Sequence, residues 1–173
     1  GPGNLGYLFE ERPHRPFLAE RAGELGVPFG PERSQLVRGE PVALAGGRVV
    51  RPEDVLGETI PGVKYAHIGD VGRTDGLAGI VRGADALVME STYTEEEGEM
   101  AAEFGHMTAA RAAALARESE VKHLILTHLS RRYSEREIRQ EARAVFANTQ
   151  VARDLDHYQI TREGVERVKK EEV

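Results

Sequence analysis

The chain contains no cysteine and no long apolar run. The absence of cysteine excludes a disulfide scaffold and a thiolate metal site, so any bound metal would have to be held by histidine and carboxylate. No segment approaches the roughly 18 consecutive apolar residues of a membrane span. The N-terminus also lacks the charged start and apolar stretch of a secretion signal. These absences predict a cytoplasmic protein with no membrane segment.

An excess of positive charge is missing as well. The 173 residues include 29 acidic and 23 basic ones, which gives a net charge of -6. This balance argues against a protein that binds nucleic acid over its whole surface, but it is compatible with a local basic patch. The overall composition is that of one ordinary domain with a sizeable core. The opening Gly1-Pro2 pair is expected to be a remnant of processing.

Hydrophobic periodicity predicts an α/β layered architecture, because strands and helices alternate over most of the chain. Strands are predicted at residues 5–11, 63–68, 86–89, 124–126 and 154–160, and helices at residues 17–25, 74–81, 107–116 and 134–147. A hairpin with a Gly46-Gly47 turn is predicted to join residues 42–44 to residues 48–50. Ser134 and Glu137 have the spacing of a capping box.

A proline-rich segment follows the first predicted strand. Its run Pro28-Phe29-Gly30-Pro31 is stiff and contributes little to a core. Two interpretations are open from the residues alone: a surface loop with one or two helical turns, or a protruding arm.

Polar side chains stand just past the ends of three predicted strands, namely Asp70, Glu90 and His128, and His106 opens a predicted helix. Ligands of α/β sheets gather outside the carboxyl ends of the strands, so these side chains are expected to converge. A histidine beside a carboxylate suits zinc or manganese. Each residue alone also has a plain interpretation, as a turn, a cap or a surface histidine. The hypothesis therefore depends on the combination.

The local sequences around these residues are similar to four motifs of one family. They are Ile68–Asp70, Met89–Tyr93, Gly105–Ala110 and Leu126–Tyr133. In this order they resemble ribonuclease Z, the tRNA 3′-end processing endoribonuclease family of the metallo-β-lactamase superfamily. Its motifs are Ser-Gly-Asp-Thr, His-Glu-Ala-Thr-Phe, His-Ser-Thr and Thr-His-Ile/Leu-Ser-x-Arg-Tyr. Met89 and Val71 depart from this pattern, where the family has histidine and threonine.

The resemblance runs from about Leu5 to Ile160 and concerns only the C-terminal half of the family. The family's His-x-His-x-Asp-His motif and a further zinc-binding histidine precede the region present here. The implied fold is half of a metallo-β-lactamase αββα sandwich with a protruding Gly/Pro-rich arm. By that resemblance, residues 1–11 lead into the arm, 12–40 form a tRNA-binding arm, 41–161 form the half domain and 162–173 form a charged tail.

The resemblance also implies a site and a substrate. Asp70 would bridge two zinc ions, with manganese as the alternative metal, and His128 would bind one of them. His106 would be catalytic, stabilising the transition state and protonating the leaving ribose oxygen, and Glu90 would tune it. Precursor tRNA would contact Pro28, Phe29, Gly30, Pro31 and Arg132.

Several alternatives and consequences stay open at this point. The chain holds at most two of about seven expected metal ligands, so it is expected to be inactive unless an N-terminal half or a partner chain completes it. The sheet face that normally meets the other half would be bare and apolar, which predicts a homodimer. The alternative functions are another hydrolase of the same fold, or a non-catalytic RNA-binding module.

Overall fold

The computed structural model of the chain describes residues 4–168. The strands are β1 (Gly6–Glu10), β2 (Val42–Ala43), β3 (Val49–Val50), β4 (Lys64–Ile68), β5 (Ala86–Glu90), β6 (Leu124–Thr127), β7 (Thr149–Val151), β8 (His157–Ile160) and β9 (Val165–Val168). The helices are α1 (Ala19–Glu24), α2 (Pro31–Val37), α3 (Pro52–Val55), α4 (Leu77–Val81), α5 (Gly98–Phe104), α6 (Ala109–Glu118) and α7 (Glu135–Val145). A single 3-10 turn covers Glu95–Glu97 within the described range.

The main sheet has five strands in the order β1-β4-β5-β6-β7. β4 to β7 are parallel to one another, and β1 pairs antiparallel with β4. One face of this sheet packs against α4, α6 and α7, and their side chains form the largest core, including Leu87, Leu126 and Ile138. The α/β architecture is confirmed, with one helix layer on one sheet, as expected for half of the sandwich.

The opposite face of the sheet is only partly covered. The β8–β9 hairpin packs there, where Val165 and Ile160 meet Val88 and Ile125. Cross-strand pairing places Tyr7 opposite His67 and Phe9 opposite Tyr65 on this same face. Tyr7 and Phe9 remain more than half exposed, at 54% and 56%. An aromatic patch therefore lies at the β1 side of the sheet.

The two longest helices begin where the sequence provides caps. The hydroxyl oxygen of Ser134 accepts a hydrogen bond from the Glu137 backbone N–H, and the Glu137 side chain accepts one from Ser134 N, so the predicted capping box is confirmed. Thr108 caps α6 in the same way, by accepting from Arg111 N. The α6 segment is rich in alanine, which lets the helix lie close against the sheet, and its Ala112 and Ala113 are fully buried. Between residues 4 and 168, none of the helices is both long and apolar enough to cross a bilayer.

Glu11–Gly62 forms a compact unit with its own small core. This core contains Ala22, Leu36, Val42, Val50 and Val55. The predicted Gly46-Gly47 hairpin is present, with both glycines at positive φ. The compact unit extends to Gly62 because the hairpin and α3 supply half of its buried core. Helix α2 was not predicted from the sequence.

The C-terminal part also differs from the prediction. The strand predicted at residues 154–160 begins at His157 and is not the last one, because β9 (Val165–Val168) pairs with it. Residues 162–168 are thus not simply a charged tail, and Val165 is buried. The short strand β7 was missed because its Thr-Gln-Val sequence alternates too briefly to give a signal. The rest of the predicted tail, residues 169–173, lies outside the described range, as does Gly1-Pro2.

Candidate active site

The predicted site residues meet at the carboxyl edge of the parallel strands. Asp70 lies two residues after β4, Glu90 ends β5 and His128 follows β6 directly. His106 lies between α5 and α6, after Gly105 ends α5 in the left-handed conformation with φ of 72°. One carboxylate and two imidazoles, from Asp70, His106 and His128, place one ligand atom each within 4.8 Å of one another. The predicted convergence of these three residues is found.

The three groups are open enough to receive a ligand. The side chains of His128 and Asp70 are about half exposed, at 53% and 48%, and that of His106 is 22% exposed. Nε2 of His128 lies 3.6 Å from Oδ1 of Asp70. The His106 and His128 rings stack with their centroids 5.4 Å apart. Two imidazoles and a carboxylate form a donor set that suits zinc or manganese.

Glu90 lies beneath this group and is buried, with 1% exposure. Its Oε1 accepts hydrogen bonds from the backbone N–H groups of Val71 and Met107, each at 3.0 Å. Its Oε2 accepts from the backbone N–H and the hydroxyl of Thr92, at 3.1 and 2.7 Å. The buried carboxylate is thereby satisfied, as burial requires. Glu90 also connects the loops that carry Asp70 and His106.

Glu90 also orients His106. Nδ1 of His106 lies 3.0 Å from Oε1 of Glu90. Because the carboxylate serves as an acceptor, His106 must carry its hydrogen on Nδ1. Nε2 then remains as the imidazole nitrogen available to a metal or a substrate.

His128 occupies a strained backbone position. Its φ is 55°, in the left-handed region that few non-glycine residues adopt. Such strain persists when the surrounding contacts enforce it, and it clusters at functional sites.

Thr92 is the site residue that sequence reasoning missed. Its hydroxyl donates to Glu90 at 2.7 Å and also lies within donating distance of the His128 carbonyl, at 3.0 Å. The single hydroxyl hydrogen serves only one acceptor at a time. Thr92 therefore contacts both the orienting carboxylate and the strained His128 backbone. Its position two residues after Glu90, just outside the strand, was the sequence feature that could have identified it.

A close approach between two glycines also shapes the site. A Cβ at Gly72 would lie 2.8 Å from the Cα of Gly105. Only glycine at position 72 lets the loop after β4 lie against the chain that leads into His106. This contact helps explain how Asp70 and His106 come together although α4, β5 and α5 separate them along the chain.

The remaining predicted residues are Pro28, Phe29, Gly30, Pro31 and Arg132. Pro28, Phe29, Gly30 and Pro31 belong to the Glu11–Gly62 unit, and all four are exposed as predicted. Pro31 begins α2, and Gly30 precedes it with φ of 145°. Arg132 follows His128 by four residues, and its Nη1 pairs with Glu97 at 3.1 Å. Arg132 is thus engaged in an ion pair.

Comparisons with known proteins agree with the geometry. A family model described as "Beta-lactamase superfamily domain" matches residues 7–129. The chain is 44% identical over 154 residues to a protein named ribonuclease Z from Bradyrhizobium diazoefficiens, a match that covers 89% of this chain and 51% of the relative. It is 46% identical over 153 residues to ribonuclease Z from Methanothermobacter thermautotrophicus, covering 88% of this chain and 50% of that relative.

The chain thus spans about half the length of the curated relatives it matches. Among solved structures, the short form of human tRNase Z has 29% sequence identity and a TM-score of 0.43, over 61% of this chain and 34% of that one. The resemblance to ribonuclease Z carried by the four sequence motifs is confirmed by the sequence matches.

Proposed function

The chain belongs to the β-lactamase superfamily, and from this premise we propose that it is the C-terminal half of a zinc-dependent endoribonuclease that removes the 3′ trailer from precursor tRNA. The observation that carries the proposal is the convergence of Asp70, His106 and His128 within 4.8 Å. The sequence similarity to proteins named ribonuclease Z supports the reaction and the substrate. A cytoplasmic location is part of the same proposal.

Asp70 and His128 would hold the metal, and Asp70 is proposed as the carboxylate that the two ions would share. A metal pair bound there would activate water and neutralise charge on the phosphate. The donor set fits this role because it combines a carboxylate with imidazole and contains no sulfur. Two zinc ions per completed site are proposed, with manganese as the alternative.

His106 would act on the substrate through Nε2. With Nδ1 committed to Glu90, a protonated His106 carries its second hydrogen on Nε2 and can donate it to the leaving ribose oxygen. Cleavage of the phosphodiester would then leave a 3′-hydroxyl on the tRNA. Acid catalysis of this kind contributes about 10²–10⁴-fold to rate. Glu90 would fix the ring orientation and stabilise the charged imidazole.

The Gly/Pro-rich segment would bind the RNA. Pro28, Phe29, Gly30 and Pro31 are proposed to contact the tRNA, because they form a stiff, exposed turn. Arg132 is proposed to contact phosphate, in which case it exchanges its surface partner Glu97 for the substrate.

The site needs further ligands from outside this chain. We propose that an N-terminal half, or a partner chain that supplies it, completes the metal centre. Without this N-terminal half, the chain is proposed to form a homodimer through the aromatic patch that contains Tyr7 and Phe9. The chain alone is expected to be inactive.

The test is a cleavage assay on a precursor-tRNA transcript with a 3′ trailer. The chain is assayed alone and after mixing with the N-terminal half of the Bradyrhizobium diazoefficiens relative, and zinc is measured by mass spectrometry in each sample. Cleavage at the trailer and zinc uptake should appear only in the mixture. The Asp70→Asn variant in the same mixture should lose both.

A mixture that binds zinc and hydrolyses a small phosphodiester but leaves the transcript intact would favour another hydrolase of the fold. A chain that binds tRNA but gives no cleavage in a zinc-loaded mixture would favour the RNA-binding module.

A further inference from the structure

Phe29 is the most exposed large apolar side chain in the described part of the protein, at 88%. An aromatic ring in this position contributes nothing to the core, and water solvates it poorly. A single exposed apolar residue needs no special explanation. Phe29 differs from such a residue because a neighbouring guanidinium holds it.

The guanidinium of Arg33 packs against one face of the Phe29 ring. Its Cζ lies 3.7 Å from the Phe29 ring centroid and 5.6 Å from that of Phe17. Its Nε and Nη2 donate to the carbonyls of Pro28 and Val27, both at 3.2 Å. The guanidinium is thus fixed by two backbone acceptors while its face contacts the ring. Such a contact stabilises the ring and leaves its other face open.

The backbone around Phe29 is restricted as well. Pro28 and Pro31 lock their own φ angles, and Gly30 has a φ of 145° that other residues rarely adopt. Val27, just before the turn, is buried at 3% exposure and anchors it to the core of the Glu11–Gly62 unit. A ring held this way loses little conformational freedom when it binds a partner.

Charge is not the main feature of this unit. Arg15 donates to the carbonyls of Gly57 and Leu56. The side chains of Arg21 and Arg38 pair with Glu24 and Glu40. Since these arginines and Arg33 already have partners, a phosphate contact made by any of them would have to break existing interactions. A flat apolar ring needs no such exchange.

We propose that Phe29, held by Arg33, is a stacking platform for an unpaired nucleobase of the RNA. This inference rests on the proposed function and names the chemistry of its RNA contact. An aromatic ring accepts the face of any base, whereas the bases of a continuous duplex are already stacked. The platform therefore selects RNA that presents an unstacked base. Arg33 is the positioning residue, acting through Phe29 and the turn.

The chain contains no tryptophan, which makes a direct test possible. Phe29→Trp places a single fluorescent reporter at the platform in the full chain, and Ile80→Trp places one at another exposed apolar position, with 55% exposure, on α4. A folded tRNA transcript is titrated into each variant, and a blunt-ended RNA duplex of equal length serves as the paired-base control. Stacking should quench the tryptophan at position 29 with the tRNA but not with the duplex. The tryptophan at position 80 should respond to neither.

Affinity gives a second measurement. Phe29→Leu should weaken tRNA binding by roughly tenfold, the loss of one base stack, while Phe29→Trp should retain it. Arg33→Lys keeps the charge but loses the planar contact and should also weaken binding, whereas the matched Arg38→Lys should not. Normal tRNA affinity of Phe29→Leu, or no quenching at position 29 while the tRNA binds, would overturn the stacking platform and leave the proposed function standing. Failure of the unchanged chain to bind the tRNA at all would overturn both.

Discussion

Oε1 of Glu90 lies 3.0 Å from Nδ1 of His106, across a sequence separation of 16 residues. The carboxylate is buried at the end of β5, and the imidazole stands in the loop before α6. The contact joins the sheet to the loop that carries one of the three convergent side chains. The organisation of the site therefore depends on a residue that a bound metal or substrate need not touch.

Glu90→Gln should destabilise the chain. The amide has one acceptor oxygen where the carboxylate has two, and its NH₂ group would face N–H groups that already donate to Glu90. Unsatisfied buried donors cost about 1–3 kcal/mol each, so the free energy of unfolding should fall by roughly 3 kcal/mol. Urea denaturation followed by circular dichroism measures this. The exposed Glu103→Gln should change it by less than about 0.5 kcal/mol. Equal stability of the two variants would mean that Glu90 does not organise the loops.

Thr92→Val should loosen the site at a smaller cost. The substitution keeps the shape of the side chain but removes the hydroxyl that donates to Glu90 and lies near the His128 carbonyl. We expect a loss of about 1 kcal/mol in the free energy of unfolding. In the completed enzyme we also expect a fall in zinc affinity of roughly tenfold or more, as for other groups that orient metal ligands. Zinc competition with a chromophoric chelator measures the affinity. Thr92→Ser should restore it, and a Thr92→Val protein with unchanged zinc affinity would leave Thr92 only a structural role.

His106→Ala distinguishes an acid from a metal ligand. In the enzyme reassembled with an N-terminal half, turnover of precursor tRNA should fall by about 10²–10⁴-fold while the zinc content stays unchanged. His128→Ala, at the neighbouring ring, should lose zinc as well as activity. Zinc is quantified by mass spectrometry on the same samples. Loss of zinc from the His106→Ala protein would assign His106 to the metal rather than to proton transfer.

The sequence predicted the convergence of these side chains better than it predicted the surrounding fold. Asp70, Glu90 and His128 could be identified from the sequence because each stands at the end of a clear apolar strand. Parallel strands bring their carboxyl ends to one edge of the sheet. The Gly72–Gly105 approach depends on tertiary packing, which no local pattern encodes. Strand β7 and helix α2 were missed for a related reason. They are short, and the cores that stabilise them come from distant segments.

Stability should depend on pH through Asp85. This residue is 1% exposed, and it binds the Lys122 ammonium at 2.7 Å and the Lys64 backbone N–H at 2.8 Å. Burial alone raises the pKa of Asp85, but these partners outweigh it and hold the pKa below its ordinary value of 3.8. A lowered carboxyl pKa contributes stability above the unfolded-state pKa, and this contribution is lost as pH falls through the folded-state pKa.

Asp85→Asn should therefore cost about 2 kcal/mol of unfolding free energy at neutral pH. The difference from the unchanged chain should shrink as the pH falls below 3.8. Urea titrations at several pH values measure both, and the exposed Asp154→Asn serves as the control. A difference that does not vary with pH would show that Asp85 acts through packing rather than through its charge.

The exposed aromatic patch on β1 should drive self-association. Phe9 lies 5.5 Å from Tyr65 and 6.3 Å from Tyr7 between ring centroids, and within the described residues β1 pairs only with β4, at the edge of the sheet. An apolar patch beside an open strand edge favours pairing with a second copy. Sedimentation velocity should therefore find the unchanged chain as a dimer. Phe9→Lys should shift it toward monomer, because a buried, unpaired ammonium opposes the interface. Phe104→Lys adds the same charge at another exposed phenylalanine and should leave the dimer intact. A stable, well-folded monomer of the unchanged chain would contradict this, since the face would then be tolerated in water without a partner.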